Sequence, residues 1–378
     1  MKLFDVYPLF PIEPVLAKGS WLWDENGQKY LDLYGGHAVI SIGHNHPHFV
    51  ERLKDQLDRI AFYSNSVTNS MQEELADKLG KLSGYTDYQL FLCNSGAEAN
   101  ENALKLASFV TGRKKVIAFT KAFHGRTSGA VAATDNAKIV APFNANHDIE
   151  FLPFNDVAAA QQRITSEVAA VIIEGIQGVG GIQVPDVTFL QTLEAACHKS
   201  GALLILDEIQ SGYGRTGKFF AHQYTNIRPH LITTAKGMGN GFPIGGVLIA
   251  PDIKPWGGML GTTFGGNYLA CAAAFAVLEV IEKENLMANA AAMGEHWISG
   301  LRSYPALTAV RGKGLMIGFD LPETHASLRK ELLFKHHIFT GEAKPNTVRL
   351  LPSLAMTRDE ANIFLEALNL ELTQPALL

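Results

Sequence analysis

Apolar residues along this chain fall into two alternating patterns: short, uncharged runs bounded by turn residues, and longer stretches in which they recur every third or fourth position. The runs read as strands buried on both faces of a parallel sheet, the stretches as helices with one apolar face. Tyr88–Cys93, Lys115–Phe119, Val168–Ile173, Leu203–Leu206 and Leu231–Ala235 are the strands, with Gly245–Ala250 a further one. Helices are predicted over His48–Ile60, Ser70–Leu82, from the turn at Ser95-Gly96 through Phe109, over Pro185–Ser200 with Gly201 as C-cap, and over Leu269–Glu284. Strand and helix alternate, which predicts an α/β architecture built on a large, doubly wound, mainly parallel sheet.

The ends of the chain read differently. Residues 1–20 are Pro-rich and irregular, and Trp21-Leu22-Trp23 and Tyr30-Leu31-Asp32-Leu33, joined by Asp24-Glu25-Asn26-Gly27, form a hairpin. Beyond Leu286 the pattern suits a small α+β unit with strands at Gly314–Phe319 and Val348–Pro352. The expected organisation is residues 1–48 as an N-terminal segment of the small domain, 49–270 as the large domain, and 271–378 as the small domain with its connecting helix.

Composition narrows the class. With 378 residues, 47% hydrophobic and 18% charged, the chain can bury one large core and a smaller one. A formal net charge of -5 argues against a nucleic-acid partner, which would need clustered Lys and Arg. Cys93, Cys197 and Cys271 are odd in number, far apart and set in apolar sequence, which argues against a disulfide framework and for a reducing cytoplasm. Asp5, Glu13 and three prolines interrupt residues 1–15, and no apolar run reaches membrane-spanning length, so no membrane partner is expected.

Two strand ends carry the chemistry. Leu203–Leu206 runs into Asp207-Glu208-Ile209-Gln210, and Leu231–Ala235 runs into Lys236-Gly237. Open α/β sheets bind ligands beyond the carboxyl ends of their strands, so Asp207 and Lys236 are expected in one crevice. Either residue alone would be a solvated charge or a loop cap, but together they suit pyridoxal phosphate: a lysine amine to hold it covalently and an anion to keep its ring nitrogen protonated. The segment Gly212-Tyr213-Gly214-Arg215-Thr216-Gly217-Lys218 imitates the phosphate loop of an ATPase. Phe219, where Ser or Thr should bind the metal, rules that out.

Other candidates have structural readings as well as functional ones. Ser95 and Glu98 make a capping box, yet the strand, Gly turn and helix start that contain them also make an anion site. Phe123 is either core or an aromatic stacked on the cofactor, and Arg126 either a surface charge or a carboxylate ligand. Arg349 interrupts an apolar run, where a charge needs a partner, and is the second candidate carboxylate binder. His37, His44, His46 and His48 do not share a helical face or a carboxylate cluster, so they are assigned to turns and not to a metal site.

Taken in order, Ser95-Gly96-Ala97-Glu98-Ala99-Asn100, Ala122-Phe123-His124-Gly125-Arg126, Asp207-Glu208-Ile209-Gln210, Ala235-Lys236-Gly237, Gly261-Thr262-Thr263-Phe264-Gly265-Gly266-Asn267 and Val348-Arg349-Leu350 closely resemble the class III aminotransferases, over nearly the whole length. The likeness is strongest to the members that act on N-acylornithines. The resemblance implies fold type I and a homodimer with active sites at the subunit interface. It implies that Lys236 holds the cofactor and shuttles the proton, Asp207 pairs with the ring nitrogen, Gln210 reaches the ring hydroxyl and Phe123 stacks on the ring. Ser95, Gly96 and Ala97 would hold the phosphate, with Thr263 reaching in from the partner subunit. Arg126 and Thr262 would hold the acylated amino acid, and Arg349 the α-carboxylate of glutamate or 2-oxoglutarate. The implied reaction moves the δ-amino group of an N-acylornithine to 2-oxoglutarate, in arginine biosynthesis.

Two departures bear on the donor. Val179 stands where the family usually has Glu, and His37 where it has a small apolar residue. Either this is neutral drift, or the two accommodate an extra acyl carboxylate, as in N-succinylornithine. Leu260 and Tyr268, in place of the usual His and Pro, flank the Thr263 loop. The rival functions are another ω-aminotransferase, using ornithine, 4-aminobutyrate or a diamine, and a non-catalytic protein on the same fold. The second predicts loss of Lys236 or Asp207, and both are present.

Overall fold

The apolar runs pair into a seven-stranded sheet in the order β4-β10-β9-β8-β7-β5-β6. Before it in the chain come β1 (Pro14–Lys18), β2 (Trp21–Asp24) and β3 (Lys29–Asp32). The large sheet consists of β4 (Gln89–Cys93), β5 (Lys115–Phe119), β6 (Ile149–Leu152), β7 (Val168–Glu174), β8 (Leu203–Asp207), β9 (Leu231–Thr234) and β10 (Gly245–Ile249). Then follow β11 (Thr308–Lys313), β12 (Met316–Asp320), β13 (Ile338–Phe339), β14 (Gly341–Ala343) and β15 (Thr347–Leu350). This is a computed structural model, and it describes residues 1–373.

Strands β6, β5, β7, β8 and β9 are mutually parallel, while β10 is antiparallel to both neighbours. Alternation along each strand serves two cores. Ala170, Ile172, Leu203 and Ile205 pack with Ala99, Ala103, Leu106 and Ala107 of the helix Gly96–Thr111. Val171, Ile173, Leu204 and Leu206 pack on the opposite side with Phe189, Leu190, Leu193 and Cys197 of the helix Val187–Ser200. Helices on both faces are what a doubly wound sheet requires. Each of these helices ends at a left-handed glycine, Gly112 (φ +69°) and Gly201 (φ +72°), whose amide bonds back into the last turn.

Two small sheets complete the molecule. One has the order β1-β2-β3-β13, with β13 parallel to β3, so the N-terminal hairpin joins residues near the far end of the chain. The other has the order β11-β12-β15-β14 and is antiparallel where paired. The helices Leu286–Arg302 and Arg358–Thr373 meet through Trp297, whose ring lies edge-on to Phe364 at 5.5 Å and whose Nε1 donates to the Ala361 carbonyl at 3.1 Å.

Two expectations change. Residues 1–20 are not wholly irregular: Pro14–Lys18 is an edge strand, with proline at its first position, where a missing N–H costs least. The run Gly314–Phe319 is the turn and second arm of the β11–β12 hairpin, with Gly314 left-handed (φ +52°). The loop Gly261–Asn267 is held in place by Asn65, Asn69 and Gln72, which donate to the carbonyls of Gly265 and Gly266.

Candidate active site

Asp207 is the last residue of β8, and Lys236 opens the turn two residues after the parallel neighbour β9. Both side chains therefore enter one cleft of about 360 Å³, which Ser95, Gly96, Ala97, Phe123, Arg126, Glu174, Val179 and Gln210 also line. The cleft lies at the carboxyl ends of the parallel strands.

The Asp207 carboxylate is buried and locked in place. Its Oδ2 accepts from Asn100 Nδ2 at 2.7 Å and meets His124 Nδ1 at 2.8 Å, and its Oδ1 accepts from the Ile209 amide at 3.1 Å. A carboxylate can only accept here, so His124 carries its proton on Nδ1. Asn100 is oriented in turn, receiving Thr233 Oγ1 at 2.7 Å and donating to the His124 carbonyl at 2.7 Å. Lys236 has a left-handed backbone (φ +46°). Burial lowers the pKa of its amine, against the pull of the Asp207 and Glu174 carboxylates.

One end of the cleft is built by a helix start. Ser95 caps the helix Gly96–Thr111, its Oγ accepting from the Glu98 amide at 3.2 Å, while Glu98 Oε2 accepts from the Asn94 amide at 2.9 Å. Only the Ser95 half of the capping box is formed, since Glu98 accepts from the amide of Asn94 and not from that of Ser95; Gly96 and Ala97, whose first-turn amides have no intrahelical partner, line the cleft at this end of the helix. Close packing keeps this turn narrow: a Cβ on Gly96 would stand 2.8 Å from Ile209 Cγ2, and one on Gly125 would stand 2.8 Å from Ala97 Cβ.

Arg349 and His37 are not among the residues that line this cleft, but they lie close enough for the Arg349 charge to act on both His37 and Lys236. Arg349, on β15, is buried, gives Nε to the Glu342 carbonyl at 2.8 Å, and has no partner for Nη1 among the described residues. Burial lowers its pKa, and Tyr34 and Glu174 oppose that shift. His37 sits in the run Gly35–Ala38, where four successive φ angles are +56°, +56°, +69° and +64°. For His37 and Ala38 such a conformation is strained. The His37 ring packs on Tyr34 at 4.7 Å, its carbonyl accepts from Gln210 Nε2 at 3.1 Å, and its pKa is lowered by burial and then by the Arg349 and Lys236 charges. Gln210 Oε1 is buried without a partner and lies over Gly178, where a Cβ would come within 1.6 Å of it.

Thr262 and Thr263 lie outside the cleft of their own chain. Thr262 Oγ1 accepts from Asn94 Nδ2 at 3.2 Å and from the Gly265 amide at 3.1 Å, and Thr263 is exposed. Arg126 is exposed at the rim and Phe123 is half-buried. The histidines disperse: His44, His46 and His48 contact Asp32, Glu284 and Glu279 respectively.

Sequence reasoning assigned no role to Asn100, His124 or Glu174. Glu174 ends β7 beside Asp207, its two oxygens accept from the amides of Phe123 (3.0 Å) and Gly178 (2.9 Å), and burial pushes its pKa up to about 7. The usable signal was position: Glu174, like Asp207, is a carboxylate at the end of a buried run.

Residues 6–372 match the family model described as Aminotransferase class-III. The chain belongs to the class III aminotransferases. It is 43% identical over 349 residues to the acetylornithine aminotransferase of Archaeoglobus fulgidus, covering 92% of each chain. It is 41% identical over 369 residues to that of Bacillus subtilis, covering 95% of this chain and 94% of the relative. Among solved structures it resembles ornithine aminotransferase from Toxoplasma gondii, described with partial occupancy of PLP at its active site (TM-score 0.89, 29% identity, 96% and 90% coverage). It also resembles acetylornithine aminotransferase from Elizabethkingia anophelis (TM-score 0.85, 30% identity, 97% and 95% coverage).

This aminotransferase uses pyridoxal phosphate, and its cleft suits that group. It offers a buried carboxylate whose Oδ1 carries a single hydrogen bond, an amine whose pKa burial lowers, amides at a helix start, and a Gln210 oxygen without a partner among the described residues. No helix among the described residues is long and apolar enough to cross a membrane.

Proposed function

We propose that this aminotransferase moves the δ-amino group of an N2-acyl-L-ornithine to 2-oxoglutarate, giving an N-acylglutamate 5-semialdehyde and glutamate, in the cytoplasm and as part of arginine biosynthesis. The observation that carries the reading is the meeting of Asp207, Lys236, Ser95, Gly96 and Ala97 in one cleft, in a chain with relatives about 40% identical that are named for acetylornithine. When bound, pyridoxal phosphate supplies an electron sink that lets an amino group pass between carbon skeletons. The protein's part is to hold and to move protons. Asp207 would keep the ring nitrogen charged, with Asn100 and His124 fixing the carboxylate's orientation. Lys236 Nζ, its pKa lowered by burial, would take the proton from the carbon bearing the amine in one half-reaction and supply one to the acceptor's carbon in the other. Phe123 would form the stacking wall, Gln210 would reach the ring hydroxyl, and Gly96 and Ala97 would present amides to the phosphate.

Arg349 grips the α-carboxylate of glutamate, and Arg126 holds the acylated amino acid, joined by Thr262 only across the subunit interface, since Thr262 lies outside the cleft of its own chain. The active unit is a homodimer in which Thr263 completes the partner's phosphate site. Exposed Phe62 and Phe264, 5.3 Å apart beside Thr263, support such an interface. As to the acyl group, Val179 lines the cleft with 43% exposure and no charge, so a pocket in which Arg126 and Lys236 meet Asp207 and Glu174 is more positive than it would be with a glutamate at this position. That balance favours a donor with a second carboxylate, N-succinylornithine, over N-acetylornithine. Steady-state kcat/KM for both donors, with ornithine, 4-aminobutyrate and a diamine alongside, tests the whole reading. It stands if an N-acylornithine leads the panel with the succinyl donor ahead of the acetyl one. An acetyl preference removes the succinyl assignment, and a lead by ornithine or 4-aminobutyrate removes the N-acylornithine reading.

A further inference from the structure

Arg215 lies in the turn after β8, outside the cleft, and only 2% of it is exposed. It makes no ion pair with a carboxylate among the described residues, and its guanidinium donates to backbone carbonyls instead. Nη1 reaches Pro352 and, at 3.4 Å, Leu315, and Nη2 reaches Ile40 at 3.2 Å. Burial lowers its pKa to about 10, so it is charged at neutral pH. A cation buried on carbonyls alone is costly, and a planar fork that fixes several chain segments at once is what Arg offers that Lys does not.

The segments it joins are those that bear the substrate wall. Ile40 follows His37 by three positions, Pro352 follows Arg349 by three, and Leu315 lies at the turn into β12, which pairs with β15. The hairpin turn also rests on the Arg215 loop: the Leu315 amide donates to the Arg215 carbonyl at 2.9 Å, and a Cβ on Gly314 would stand 2.7 Å from that oxygen. From Ile40 the link continues to Lys236. Ser41 Oγ donates to the Gly237 carbonyl at 2.7 Å, its amide donates to Asn240 Oδ1 at 2.8 Å, and its carbonyl accepts from the Leu354 amide at 2.7 Å. A short series of buried contacts therefore runs from the lysine turn, through Ser41 and Arg215, to the strand of Arg349.

We propose that Arg215 is a positioning residue for the glutamate half of the reaction: by clamping the carbonyls of Ile40 and Pro352 it holds Arg349 at the distance from Lys236 that puts the α-carbon of a gripped amino acid beside the amine. This rests on the reading of Arg349 as the α-carboxylate ligand. In the other half-reaction the reacting carbon is the δ-carbon, remote from any α-carboxylate, so the spacing matters less there. The two half-reactions should then respond differently to the same change.

The test uses the full chain loaded with pyridoxal phosphate, as Arg215→Lys and Arg215→Met. Single-turnover rates are read in visible absorbance, with glutamate and with N-acylornithine as separate amine donors. Binding of glutarate, an unreactive dicarboxylate, is measured by calorimetry, and folding by thermal melting. Displacing a gripped group by about 1 Å costs up to roughly 100-fold, so kcat/KM for glutamate should fall by about 10- to 100-fold. Glutarate binding should weaken, and the N-acylornithine half-reaction should change little. Equal slowing of both half-reactions, no slowing of either, or failure of both variants to fold would reduce Arg215 to a structural bolt and overturn the proposal. Arg349→Lys separates the two claims: if it spares the glutamate half-reaction, the Arg349 reading fails. If it is selective for glutamate while the Arg215 variants are not, only the Arg215 proposal fails.

Discussion

Two walls of the site are built on opposite principles. On the cleft wall formed by strand ends of the large sheet, Asp207 is bonded to Asn100, His124 and the Ile209 amide, Ser95 Oγ accepts from the Glu98 amide, and Glu98 accepts from the Asn94 amide. On the second wall, beyond the cleft lining, Arg349 leaves a buried donor without a partner among the described residues and His37 sits in a left-handed turn with strained backbone. The first wall is a nearly closed network, left open among the described residues at Gln210 Oε1 and His124 Nε2, and is suited to a cofactor that stays. The second keeps unmet hydrogen-bonding capacity and strain, suited to ligands that come and go.

Substitutions can break this contrast, and the effects should descend from the first wall to the second. Lys236→Ala would remove both the proposed covalent anchor and the proposed base, and should lower kcat by about 10⁴-fold while the melting temperature of the cofactor-free protein stays near the parent's. Asp207→Asn keeps the shape but loses the charge; kcat should fall by about 10²- to 10³-fold, the scale of deleting one preorganised electrostatic partner. Arg349→Ala removes a charge-assisted fork, worth about 1.5–3 kcal/mol, so KM for 2-oxoglutarate should rise by roughly 10- to 100-fold, with a smaller change in kcat. Val179→Glu should have the smallest effect, up to about tenfold. It adds an anion to the pocket lining, and should lower the ratio of kcat/KM for N-succinylornithine over N-acetylornithine.

Glu174 sharpens the comparison through pH. Its folded pKa of about 7 lies above the ordinary carboxylate value, so the native state binds the extra proton and the unfolded state releases it. This carboxyl therefore favours folding fully below pH about 4.5, and the contribution is lost as pH rises through about 7. Glu174→Gln, which cannot ionise, should flatten that part of the stability profile, measured by denaturant melts of the cofactor-free protein across this range.

The first wall was legible in the sequence and the second only in part. Asp207 and Lys236 could be placed together because buried parallel strands announce themselves as uncharged runs, and their ends share one side of the sheet. The sites of Asn100 and His124 were within quoted motifs, but their bonds to Asp207 join positions 107 and 83 residues apart, which no local pattern reports. The edge strand Pro14–Lys18 escaped notice because its burial pattern is mostly exposed, leaving no apolar alternation to read. Arg349 stood out as a charge in an apolar run. The left-handed turn that carries His37 had only Gly35-Gly36 as a signal, and its partners, Tyr34 and Gln210, are set by the tertiary fold.

The central claim is that Lys236 and Asp207 share one cofactor. Its most direct test is to reduce the pyridoxal-phosphate-loaded protein with borohydride, digest it, and locate the modified lysine by mass spectrometry, in parallel with the visible spectrum of Asp207→Asn. The account predicts a single pyridoxyl adduct on Lys236 and a visible band displaced by the Asp207 substitution. An adduct on a different lysine, or a band indifferent to Asp207→Asn, would contradict it.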